Sequence, residues 1–269
     1  MVRFVWMAAV VSAWALAASG ALTSGAELAS GSPAMTNPFF PYCVNVPDRV
    51  LQDLGYAPIH NLYTGIDLGK EPCFGPGMKD QIRGLRGTNT IFWLTILGPR
   101  DKNLDDQAVA MIRELAGVAD EVGVKVAIYP HSGFYVATAR DALRVVKQVD
   151  RKNVGVTITL CHELMGDQGP ELPQIIEEVA PHLFVVTVNG ADKKAKGQSI
   201  GWDRLIQPLG QGDFDVFSVL DKLHSVGYTG PIGLQCYGLQ GDPLVHLKQS
   251  IATWKEYCVR LEERAAAAK

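Results

Sequence analysis

Two histidines stand at corresponding places in the chain, and imidazole is the side chain best suited to moving protons near neutral pH. The apolar run Val124 to Ile128 ends in Tyr129-Pro130-His131, and the run Val154 to Leu160 ends in Cys161-His162-Glu163. Val154, Val156, Ile158 and Leu160 are aliphatic, with no carboxylate among them, which reads as a buried strand. Sites in α/β barrels and open α/β sheets lie at the carboxyl ends of strands. Two neighbouring strands that each stop on a His therefore predict a convergent pair, His131 and His162, with Glu163 as a third catalytic candidate. Such a pair could take a proton from a carbon beside a carbonyl and protonate the product without a metal. The bland alternative is a strand-end His that is solvated or bonded to a backbone carbonyl. Adjacent strand residues point to opposite faces, so His162 and Glu163 share a site only if the strand has ended before them.

Residues suited to a sugar surround this pair. Tyr129, Thr159, Thr187, Asn189, Gln235 and Tyr237 offer donors and acceptors at expected strand ends. Trp202 follows the glycine-bearing stretch Lys193 to Gly201 and suits a lid that stacks on a pyranose face. His60, near the end of an expected strand Ala57 to Leu62, is a further binding candidate. A strand-end Thr or Gln can equally serve only the backbone. Trp93 reads as core, and His182, His224 and His246 read as surface.

The elements that position these residues alternate. Expected strands are Phe39 to Asn45, Ala57 to Leu62, Thr90 to Leu97, Val124 to Pro130, Val154 to Cys161, Leu183 to Val188 and Ile232 to Tyr237. Expected helices are Pro47 to Leu54, Met78 to Leu85, Asp105 to Val122, Ala139 to Val149, Leu172 to Val179, Phe214 to Val226 and Leu244 to Leu261. Val109, Ile112, Leu115, Ala116, Ala119 and Val122 share one helical face. Tyr63 to Gly77, rich in Gly and Pro, has no helical period and reads as an irregular loop. Alternation at this spacing means parallel βαβ units, whose right-handed crossovers close a barrel. Between Asn37 and Thr90 one β/α pair is missing or degenerate. The fold class is thus α/β, a TIM-type (β/α) barrel with an irregular or incomplete N-terminal part.

The 269 residues suffice for one large domain, read here as 37–269, and the net charge is -3. Lys193, Lys194 and Lys196 are the one basic cluster, so no electrostatic footprint for nucleic acid exists. Arg3, the apolar run Phe4 to Leu16 and the small residues Ala17 to Ala21 read as an export signal, and 1–36 as signal plus leader. Export to a periplasmic or extracellular space is expected, with membrane contact only through an uncleaved leader. Cys43, Cys73, Cys161, Cys236 and Cys258 form neither a disulfide framework nor a Cys-x-x-Cys zinc site. Cys43, Cys161 and Cys236 fall on expected strands, as small hydrophobes.

From Asn37 onward the chain resembles the xylose-isomerase-like TIM-barrel superfamily, often called sugar phosphate isomerase/epimerases. The resemblance rests on Tyr129-Pro130-His131-Ser132-Gly133-Phe134, Thr159-Leu160-Cys161-His162, Val186 to Asp192, Gly212-Asp213-Phe214-Asp215, and Gly227-Tyr228 through Pro231 to Gln235. It implies a carbohydrate substrate and a divalent metal held by two Glu, an Asp and a His, with the two Glu shuttling a proton between carbons. This chain departs at each ligand position: Tyr129, Thr159, Thr187 and Gln235 stand there instead. Neutral oxygens and amides are poor ligands for a hard dication. No cofactor is therefore expected, beyond a weakly held divalent ion such as zinc on the two imidazoles. The resulting expectation is a sugar or keto-sugar isomerase or epimerase working by proton transfer next to a carbonyl. The alternatives are a keto-glycoside lyase or hydratase, and a degenerate barrel that binds a carbohydrate or a partner without turnover.

Overall fold

The computed structural model describes residues 35–267. In chain order the elements are β1 (Phe39–Tyr42), α1 (Asp48–Leu54), β2 (His60–Asp67), α2 (Met78–Arg83), β3 (Thr90–Leu97), α3 (Asp105–Asp120), β4 (Val126–Ile128), α4 (Ala139–Val149), β5 (Val154–Thr159), α5 (Leu160–Met165), α6 (Leu172–Val179), β6 (Leu183–Val188), α7 (Trp202–Leu205), α8 (Val216–Ser225), β7 (Ile232–Gln235) and α9 (Pro243–Ala267). All strand pairs are parallel, in the order β1-β7-β6-β5-β4-β3-β2. The sheet curls into a barrel one strand short of the usual eight. Among the described residues β1 and β2 are its two unpaired edges. The expected incomplete N-terminal part is therefore real.

Strand alternation sorts the residues into two cores. Val154, Val156, Ile158, Val186, Val188, Ile232 and Leu234 point outward into the large core under the helices. Phe40, Tyr42, Trp93, Ala127, Tyr129 and Val185 point inward and fill the barrel axis. The curl is tight enough that Tyr42 on β1 meets Trp93 on β3 edge-on, with ring centroids 4.7 Å apart. Trp93 is core, as its sequence setting suggested.

One glycine sets the barrel's lower packing. The β5–β6 register shifts between Val156 and Thr157. There Phe184 lies over Gly155, where an added Cβ would sit 2.3 Å from the Phe184 ring. Only a residue without Cβ admits that close approach.

Several sequence expectations need correction. The second strand is His60–Asp67, longer and later than Ala57 to Leu62, so the first third of the stretch expected to be an irregular loop from Tyr63 is strand. Its pairing with β3 through Gly65 and Asp67 outweighs the weak strand propensity of Gly. The β5 strand stops at Thr159, and Cys161 lies in α5. Cys43 and Cys236 follow β1 and β7 directly instead of lying inside them. Just before β1, Met35 packs in the core and the Asn37 side chain donates to the carbonyls of Tyr228 and Gly230. The Phe4 to Leu16 run lies outside the described residues. Among those described, no helix is long and apolar enough to cross a membrane.

Candidate active site

His131 and His162 meet at the carboxyl end of the barrel. His131 sits three residues past β4, in the connection to α4, and His162 sits in the first turn of α5, directly after β5. Their ring centroids are 4.1 Å apart, with the planes at 42°. His131 is half-buried and stacks on Phe134 at 4.1 Å; His162 is buried.

A turn builds this contact. The Phe134 N–H donates to the His131 carbonyl, closing a four-residue turn in which Gly133 takes φ 86°. That φ suits glycine and little else at the third turn position. The turn presents the peptide groups of Ser132 to both rings. The Ser132 carbonyl lies 2.9 Å from His131 Nδ1, and the Ser132 N–H donates to His162 Nδ1 at 3.3 Å.

A carbonyl only accepts and an amide N–H only donates. The hydrogen-bond pattern therefore assigns the proton of neutral His131 to Nδ1 and that of neutral His162 to Nε2. His131 is left with a free lone pair at Nε2, and His162 with a free N–H at Nε2. One ring is configured as a base and the other as a donor. Burial lowers the pKa of both: His131 falls below the usual 6.5, against the pull of the Ser132 carbonyl. His162 is pushed down to about 3 by burial first and then by the nearby His131. Both rings are neutral at pH 7.

Trp202 lies against His162. Its ring meets His162 edge-on at 5.2 Å and is itself partly exposed. Asn189 braces α7. Its Nδ2 donates to the carbonyls of Gly190 and Leu205, the latter closing α7. Asn189 is fully buried, and its Oδ1 has no hydrogen-bond partner among the described residues.

Below the histidines the barrel axis is plugged by neutral polar groups. The Tyr129 hydroxyl lies 3.1 Å from that of Tyr42 and accepts from Gln235 Nε2 at 3.4 Å. Burial first, then the mutual repulsion of the two phenolates, holds the Tyr42 pKa well above 10; burial does the same for Tyr129. Gln235 also accepts from the Tyr237 N–H, so one of its two polar atoms serves the backbone. Thr159 and Thr187 are register partners, fully buried, and their hydroxyls lack a hydrogen-bond partner among the described residues. The Tyr237 side chain is exposed at the rim.

Two sequence candidates do not join the pair. His60 opens β2, opposite Thr90 at the start of β3, and is exposed near Asp48. It therefore lies at the amino end of the barrel, a strand's length from the site. Its expected strand was placed too early, which turned a strand start into a strand end. Glu163 is the second. The strand has ended before it, yet successive residues of a helix still diverge by about 100° around the axis. Glu163 is fully buried and turned to the start of α4, where its Oε1 accepts from the Ala139 N–H at 2.7 Å. Sequence reasoning in turn missed Ser132, Phe134 and Tyr42 as site residues. The Ser132-Gly133 pair was a legible turn signal; the two aromatics carried none.

The residues present do not fit the divalent metal that the resemblance implies. Tyr129, Thr159, Thr187 and Gln235 contribute no anion. The buried thiols nearby are neutral too, with burial pushing Cys161 and Cys236 up to about 12. Among the described residues no group of three or more His, Cys, Asp or Glu is arranged to hold a metal. Both Nδ1 atoms of the histidines are already engaged.

Residues 85–257, well over half the chain, match the family model described as xylose isomerase-like TIM barrel. An uncharacterised protein of Methanocaldococcus jannaschii is 24% identical over 133 residues, covering 48% of this chain and 43% of its own. Mannonate dehydratase 2 of Halalkalibacterium halodurans is 24% identical over 156 residues, covering 53% of this chain and 44% of its own. The chain thus spans under half the length of these curated relatives. Among solved structures, the 3-keto-D-glucoside 4-epimerase of E. coli superposes with a TM-score of 0.63 at 14% identity, over 82% of this chain and 99% of that one. That identity speaks for the fold alone. This chain belongs to the xylose isomerase-like TIM-barrel family.

Proposed function

We propose that this protein moves a proton on a carbon beside the carbonyl of a sugar or keto-sugar, using His131 and His162 in place of a metal. The observation that carries the reading is that Ser132 meets one ring through its carbonyl and the other through its N–H, which gives the two neutral rings opposite tautomers. His131 Nε2 takes the proton from the carbon. The electron pair moves into the enolate, and His162 Nε2–H donates to the enolate oxygen. A neutral imidazole can fill that role, as an electrophile that hydrogen-bonds the developing enolate oxygen. His162 Nε2 gives its proton to the enolate oxygen and takes the proton of the neighbouring hydroxyl, and the imidazolium of His131 returns the carbon-bound proton to the adjacent carbon, so carbonyl and hydroxyl exchange places and no oxidant or cosubstrate is consumed. Trp202 excludes water and stacks on the ring, and Tyr237 offers a rim hydroxyl. A lyase or hydratase would start with the same abstraction and expel a leaving group from the enolate. The neighbouring epimerase and dehydratase names are compatible with either outcome.

A second reading, binding without turnover, is favoured by the plug of Tyr42, Tyr129 and Gln235, which occupies the axis beneath the histidines. The test is turnover of keto-sugars and 3-keto-glycosides by the parent, His131→Ala and His162→Ala. Turnover that both substitutions abolish supports the first reading; sugar binding with no turnover by the parent supports the second. Export by the Arg3 and Phe4 to Leu16 segment is part of the proposal. A mature chain in the host's cytosol that still begins at Met1 contradicts it.

A further inference from the structure

Glu163 has no role in that chemistry, yet it is a carboxyl group with no exposure at all. A buried carboxyl is costly unless its surroundings compensate it. Its Oε1 accepts the Ala139 N–H at 2.7 Å, and its Oε2 has no partner among the described residues. Ala139 is the first residue of α4. The N-cap there is already complete: Thr138 accepts from the Asp141 N–H, and Asp141 accepts from the N–H groups of Ala137 and Thr138. Glu163 takes up the next free donor of the same turn. Burial holds its pKa up at about 8, against the pull of the Ala139 N–H and with Asp141 adding to the rise.

Its place in the chain gives this contact a consequence. His162 and Glu163 are consecutive in α5, and each grips one end of the segment 131–139. His162 accepts from Ser132 at the start of that segment, and Glu163 accepts from Ala139 at its end. His131 lies in this segment and leaves the barrel through it. We propose that Glu163 is a positioning residue, which clamps the His131-bearing segment onto α5 so that Ser132 stays between the two imidazoles. The inference deepens the proposed function, because it concerns the same pair, but the clamp exists whether or not a sugar turns over.

The clamp is tested by cutting one hydrogen bond from each side. Glu163→Leu removes the acceptor. Ala139→Pro removes the donor at the first helical position, where proline is well tolerated, and the extended Thr138 suits a following proline. Glu163→Gln keeps the acceptor and the neutral state. Ile176→Ala, in the fully buried core of α6, lowers stability without touching the segment. The readout is the ring-proton NMR of the histidines between pH 8 and pH 5, on the full chain and without substrate. His162 is expected to stay neutral throughout in the parent, in Glu163→Gln and in Ile176→Ala. In Glu163→Leu and Ala139→Pro it is expected to titrate at the lower end of that window, a rise of at least about two units from about 3. If Glu163→Leu does not fold, Ala139→Pro decides. Unchanged His162 behaviour in the variants that cut the bond overturns the clamp, as does an equal change in Ile176→Ala. Absence of turnover with the NMR outcome as expected would sink only the proposed function.

Discussion

The ring centroids of His131 and His162 lie 4.1 Å apart, and the two rings share Ser132, which bonds one through its carbonyl and the other through its N–H. Two imidazoles that close would repel as cations. Their low pKa values and complementary protons are what make the contact stable. The same features make it suited to one proton taken and one hydrogen bond given.

The pH profile of any turnover should carry this signature. A base with an ordinary imidazole would lose activity as pH falls through 6.5. His131 titrates below that value because it is desolvated. The acid limb of kcat/KM should therefore lie clearly below pH 6.5. An acid limb at or above 6.5 would exclude His131 as the base.

Stability against pH should show two opposed trends. His162 has its folded pKa depressed to about 3, so the folded state binds fewer protons than the unfolded one between 3 and 6.5, and stability rises with pH there. Glu163 has its folded pKa raised from 4.5 to about 8, so its contribution is complete below 4.5 and is lost as pH rises to about 8. The two slopes oppose one another between 4.5 and 6.5. Above 6.5 only the Glu163 loss remains of this pair. Urea unfolding at pH 6.5 and pH 8 should show the parent less stable at pH 8, and Glu163→Gln with that decline much reduced. A parent and a Glu163→Gln variant with equal declines would refute the burial of an acid there.

Gly155→Ala should be destabilising out of proportion to its size. The added carbon would meet the Phe184 ring at 2.3 Å, and both backbones are pinned in the sheet. A loss of about 1–3 kcal/mol is expected, read as a Tm lower by several degrees in a thermal scan. Phe184→Leu in the same chain should recover part of it. A variant within a degree of the parent would show that the ring moves freely.

Tyr129→Phe should cost about 1–3 kcal/mol, because it leaves the buried Tyr42 hydroxyl and Gln235 amide without their partner. With Tyr42→Phe added, the total should fall short of the sum of the two single losses. Strict additivity in urea unfolding would mean that the three groups do not form one network.

The fold was largely legible because parallel barrel strands are buried on both faces and read as apolar runs. Thr90–Leu97 and Leu183–Val188 were bounded correctly for that reason, as was α4, whose Thr138 cap and apolar stripe mark its limits. β2 was misplaced because His60, Asn61, Tyr63, Thr64 and Gly65 carry no such pattern; its pairing with β3 makes it a strand. The histidine pair was legible from two strands with like endings. The direction of Glu163 was not, because it depends on β5 stopping at Thr159, and Leu160 and Cys161 are apolar enough to continue it. The protonation of the two rings lies in backbone geometry, which side-chain identity does not encode.

Metal-free proton transfer by this pair can be followed on the substrate itself. The most direct measurement is deuterium incorporation from D2O at the carbon beside the carbonyl of a keto-sugar, followed by NMR before and after exhaustive dialysis against a chelator. The account expects exchange at an unchanged rate after dialysis, and its loss by at least about a hundredfold in His131→Ala, in line with removal of a general base. Exchange that the chelator abolishes and manganese, zinc or magnesium restores would contradict it.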